Sequence, residues 1–89
     1  MNRELVTIDL TDLEAEYFLR HQYRQGEVDA LRDVACMLNL YNAGKLPFAM
    51  MQMRLASRYA MAQAQRDNPQ MAGAREVYSS FLHQLDEKG

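Results

Sequence analysis

This 89-residue chain has no tryptophan, one cysteine, two prolines and four glycines. Each scarcity excludes something. A lone Cys36 cannot staple a small secreted scaffold, which ordinarily needs several bridges, so a reducing compartment is expected and the protein reads as cytoplasmic. The opening MNRELVTIDL lacks the apolar core of a signal peptide, and no run approaches the ~18 apolar residues of a membrane span, so no membrane association is expected. His21 and His83 stand alone, with no cysteine or second histidine at ligand spacing. Asp29 and Asp33 lie one helical turn apart, but two carboxylates on a solvated face make a poor cation site. No metal and no cofactor is expected.

Catalytic patterns are missing as well. There is no glycine-rich phosphate loop and no grouping of serine, histidine and acid. Cys36 has Arg32 one turn away but no neighbouring histidine, and reads as a plain buried thiol rather than a nucleophile. The expectation is that the protein is not an enzyme.

One further absence is local. From Val34 through Arg66 there is no acidic residue, while Lys45, Arg54, Arg58 and Arg66 are basic; the first 33 residues carry the opposite bias. A chain of net charge −2 thus holds a locally positive middle segment.

What is present is helical patterning. Apolar residues at 48% and charged ones at 25% suit a folded globular chain, and 89 residues supply one domain, residues 1–89. Gly26, Gly44 and Asp67-Asn68-Pro69 divide it into four pieces of helical length, predicting an all-α bundle with helices at about 12–25, 27–43, 47–66 and 69–86. Thr11 and Glu14 form a capping box for the first, and Gly26 is read as its left-handed stop. In the second, Val28, Leu31, Val34, Ala35, Leu38 and Tyr41 recur at three and four and predict one broad apolar face, with Asp29, Arg32, Asp33 and Asn39 opposite. Pro47 suits the first turn of the third, and Asn68-Pro69 the cap and first turn of the fourth, whose buried stripe is Val77, Tyr78, Phe81, Leu82 and Leu85. Gly73 weakens the start of that helix. Val6, Ile8 and Leu10 alternate with polar residues, so the N-terminal segment is read as extended.

The third helix poses the functional question. Phe48, Met51, Leu55, Tyr59 and Ala62 make one apolar stripe, and Met50, Met53, Ala60, Met61 and Ala64 make a second. A helix apolar over so much of its circumference must be covered on two sides. Either the other helices cover both, with methionine filling gaps, or one stripe faces a partner or a second copy, for which the flexible thioether is well suited. Arg54 and Arg58 share a face, either solvated and balanced by Glu14 and Glu16 or placed to hold an acidic partner surface. Arg20 and Arg24 form a second such pair beside Tyr23, a residue type enriched with arginine among interface anchors.

The leading expectation is a small protein-binding module, whether adaptor, chaperone or stoichiometric inhibitor, that occludes another protein's surface or dimerises. Its partner-binding residues would be Met50, Met53, Arg54, Arg58 and Met61, with Arg20, Tyr23 and Arg24. A nucleic-acid regulator with a helix-turn-helix is the weaker alternative, because a recognition helix opening Pro-Phe-Ala-Met-Met offers base edges almost no donors or acceptors. A structural subunit of an assembly is a third, since a permanent interface would look much the same from sequence.

Overall fold

A computed structural model describes residues 11–88, which form three helices: α1, Thr11–Asn42; α2, Phe48–Ala64; and α3, Pro69–Lys88. The all-α class holds, but the four-helix count does not. The two helices expected at 12–25 and 27–43 are a single 32-residue helix. The extended segment expected at residues 1–10 lies outside the described residues.

Gly26 is the reason for the miscount. It is not in a left-handed conformation; among the described residues the only glycine with positive φ is Gly44, at 74°. Gly26 is instead buried inside α1 because α3 crosses there at backbone distance. A Cβ built on Gly26 would lie 2.6 Å from the carbonyl carbon of Gln70 and 2.8 Å from its Cα, and one built on Gly73 would lie 3.0 Å from the backbone nitrogen of Glu27. Both glycines that read as breaks or weaknesses are the two halves of one helix–helix contact. Absence of a side chain serves here to let backbones approach.

Gly44 is the stop. Its amide donates to the Tyr41 carbonyl (3.0 Å) and the Lys45 amide donates to the Leu40 carbonyl (2.9 Å), the paired bonds of a Schellman turn. Pro47 stands just before α2, with φ −62° and ψ 149°, and its carbonyl accepts the Met51 amide. Asn68 caps α3 as expected, its Oδ1 accepting the amides of Gln70 (2.9 Å) and Met71 (3.3 Å), with Pro69 as the first helical residue.

The chain runs up, down and up. Near one end Tyr41 meets Phe48 edge-to-face at 5.9 Å; midway Asp33 meets both Arg58 and Tyr78; towards the other end Gly26 and Ala30 share a groove with Met61, Ala62 and Ala74. So α2 runs antiparallel to α1, and α3 parallel to it. Both α1 and α2 pack chiefly on α3, with far less direct contact between them.

The core comprises Ala30, Val34 and Met37 from α1, Leu46 from the turn, Met51 and Leu55 from α2, and Ala74, Tyr78 and Leu85 from α3. The stripe expected on α3 is buried at Tyr78 and Leu85 and half-buried at Val77, Phe81 and Leu82. The face expected on the second half of α1 is turned. Gly26, Ala30, Val34 and Met37 point inward, while Leu31, Ala35 and Tyr41 are exposed and Asp33 is half-buried. The glycine crossing sets this rotation: α3 can approach only the small side of α1, so the larger leucine side is left outside.

Candidate protein-binding surface

The two apolar stripes of α2 part company. Met51, Leu55 and Ala62 are buried and Phe48 and Tyr59 half-buried, so the first stripe is core. The second faces out: Met50 is 46% exposed, Met61 57% and Met53 72%, with Ala60 and Ala64 exposed beside them. A bundle of three helices has only two neighbours to offer α2, and both lie on its inner side. Nothing in one copy of the described chain covers the outer side.

The two arginines of α2 also separate. Arg54 is exposed on the methionine side and has no ion pair among the described residues. Arg58 turns toward the bundle, where its Nε donates to Asp33 Oδ2 at 3.1 Å. The same oxygen accepts the Tyr78 hydroxyl at 2.6 Å. One carboxylate from α1 therefore ties a residue from each of the other helices. Burial and then the carboxylate beside it push the Tyr78 hydroxyl far above its ordinary value, with Arg58 opposing weakly. The expected balance of Arg54 and Arg58 by Glu14 and Glu16 does not form: Glu16 pairs with Arg20 on its own helix, and Arg58 takes Asp33.

Arg20, Tyr23 and Arg24 are brought together, but away from the methionine face. They line an open cleft of about 600 Å³ with Leu19, Glu27 and Arg66, where α1 passes the turn between α2 and α3. Tyr23 is half-buried; burial, then Glu76 and Glu27, raise its hydroxyl above the ordinary value, and Arg75 offsets part of this. Arg20 stacks over the Tyr17 ring at 5.7 Å while bonded to Glu16. The sequence-predicted binding residues thus fall in two places, joined only through the bundle.

Cys36, Asp29 and Asp33 all lie on α1. Cys36 is exposed rather than buried, because the rotation of α1 turns it out. Asp33 is committed to Tyr78 and Arg58, and Asp29 accepts from Gln25 at 3.0 Å. Among the described residues no cluster of three or more histidine, cysteine or acidic side chains could hold a metal ion.

Sequence reasoning missed the first turns of α1. Residues 11–20 are exposed on every side, although Leu13, Tyr17, Phe18 and Leu19 are large and apolar. With Gly26 taken as a turn, this segment belonged to the bundle; with α1 continuous, it projects past the start of α3 as a helical arm. The one hint in the sequence is that Gln25-Gly26-Glu27 offers a single breaker, with no proline, asparagine or serine beside it to build a reversal, and it does not by itself exclude a turn.

None of the described helices is long and apolar enough to cross a membrane. Comparison of the chain with protein-family models, curated proteins and solved structures finds no match.

Proposed function

We propose that this protein is a non-enzymatic protein-binding module that acts by covering a surface of another protein with the outward face of α2. The observation that carries this reading is the exposure of Met50, Met53 and Met61 on a helix whose opposite side, at Met51 and Leu55, is completely buried. Scattered exposed apolar residues are ordinary, but three long thioethers along one side of one helix form a patch that can adapt to a partner's shape. Arg54 beside them, in a segment without acids, suits a partner whose surface is acidic. An exposed Cys36 without a disulfide partner fits a reducing compartment.

The helix-turn-helix alternative has less support. Phe48 and Met51, at the start of the would-be recognition helix, pack inward, and α2 folds back antiparallel to α1 instead of crossing it steeply.

The test is affinity capture from the native cell with the full chain and with Met53→Glu/Met61→Glu, each quantified by mass spectrometry. Protein captured by the wild type should be lost with the double variant at unchanged helicity. Equal capture by both would refute the assignment of the surface.

A further inference from the structure

The arm of α1 and the outer face of α2 are both apolar, both uncovered and opposite in charge. Asp12 and Glu14 have no ion pair among the described residues, and neither does Arg54. The lengths also agree: residues 11–22 and Met50 to Met61 each span ~17 Å of helix. The arm cannot fold back onto α2 of its own chain, because α1 is one uninterrupted helix from Thr11 to Asn42 and residues 11–20 are exposed on every side. A second copy can supply what one chain cannot.

We propose that two copies of this chain exchange arms, residues 11–22 of each lying along the methionine face of α2 of the other. The proposal rests on the reading of that face as a docking surface and names its resident occupant. Each arm acts as the fourth helix of the other copy's bundle. Leu13 and Tyr17 lie one turn apart on one side of the arm, with Phe18 and Leu19 on other sides. An arm so apolar around its girth needs cover, and the exposed side of α2 at Met50, Met53 and Met61 of the other copy offers it. Glu14 and Asp12 then fall beside Arg54 instead of facing water alone.

The area is sufficient. Tyr17 is 65% and Phe18 59% exposed, so the two rings of each arm offer ~250 Å² when a whole aromatic side chain offers ~200 Å². Two arms, and an equal area on the surfaces they cover, bring the aromatic contribution alone to about 1,000 Å², the size at which specific interfaces begin. Reciprocal exchange closes on itself as a two-fold dimer, leaving no open arm to propagate a filament. A foreign partner of the α2 face must then displace the arm.

The experiment is complementation between two variants of the full chain, followed by sedimentation velocity and native mass spectrometry. Tyr17→Glu/Phe18→Glu spoils the arm and leaves the face; Met53→Glu/Met61→Glu spoils the face and leaves the arm. Wild type should be dimeric, and each variant alone should dimerise at least about a hundredfold more weakly, the loss typical of removing central interface anchors. Mixed together, the two variants should form a dimer of one copy each, because one arm and one face remain intact and opposed. A second pair, Glu14→Arg and Arg54→Glu, changes only exposed charges and should show the same mutual rescue at low salt, independent of any folding defect in the first pair. A monomeric wild type, a dimer indifferent to both variants, or a mixture that stays monomeric would overturn arm exchange, the last by pointing to arm-on-arm or face-on-face pairing. Loss of captured partner by the α2 variant with a monomeric wild type would sink the exchange and leave the docking surface standing.

Discussion

Gly73→Ala tests the crossing that organises the fold. In an isolated helix the change would stabilise by ~1 kcal/mol, since alanine is the best helix former and glycine among the worst. Here the new methyl would sit 3.0 Å from the Glu27 nitrogen and 3.0 Å from the Tyr23 carbonyl carbon, and closer still to the Tyr23 oxygen. Those atoms are backbone inside α1, so no rotamer can move them away. The helices must separate by on the order of 1 Å, which forfeits a quarter to a half of the dispersion energy of each contact along the seam. Overpacking of this kind costs ~1–3 kcal/mol, and with rigid backbone on both sides the upper end applies. Set against the gain in propensity, the net loss is about 2 kcal/mol, or a fall in Tm of roughly 8–16 °C for a domain of this size. Thermal unfolding followed by circular dichroism at 222 nm reads it directly. Gly26→Ala should behave alike, and the double variant should cost less than the two singles combined, because the same separation relieves both. Gly44→Ala is the contrast: nothing lies within 4 Å of its Cβ, but φ is +74°, so the loss of ~1 kcal/mol is conformational and Gly44→Asn should recover much of it. A Tm at or above wild type for Gly73→Ala would mean the helices do not meet at this point.

Dilute peroxide should convert Met53 and Met61 to sulfoxide fastest and Met50 next, with Met37 and Met51 protected until unfolding; peptide mass spectrometry on a monomeric sample checks the order, and uniform rates would contradict the two-sided description of α2. Arg58→Glu should lower stability clearly in thermal unfolding, by placing a carboxylate against Asp33 and the Tyr78 hydroxyl, while Arg54→Glu should change it by no more than the ~0.5 kcal/mol usual at open surface; equal effects would dissolve the distinction. Tyr78 keeps its proton in the folded state to higher pH than in the unfolded chain, where it ionises near the ordinary tyrosine value of 10.0. Its contribution is therefore whole below pH 10 and is lost as pH climbs toward the raised folded value, so stability should fall above pH 10. Tyr78→Phe should be less stable at neutral pH but decline more shallowly over that alkaline range, as seen in urea midpoints; parallel declines would remove Tyr78 as the cause.

Local chemistry was legible in the sequence. The Asn68-Pro69 start of α3, the Gly44 stop and the two apolar stripes of α2 all follow from spacing and from what each residue's backbone permits; which stripe turns outward does not. They depend on neighbours three or four positions away, which the chain itself supplies. Gly26 was not legible. A glycine within a helical pattern is consistent with a turn or with a close approach, and only Gly73, brought against it by the fold, selects between them. From that contact came much else that sequence could not decide: one long α1 in place of two helices, the rotation that buries Ala30 and turns out Leu31 and Cys36, the commitment of Asp33 to Arg58 and Tyr78, and an apolar arm left exposed at residues 11–20. Sequence determined which segments are helical and that α2 carries two apolar stripes; tertiary structure decided which stripe is buried and where the helices touch, because a bare backbone attracts no partner until another bare backbone is placed opposite.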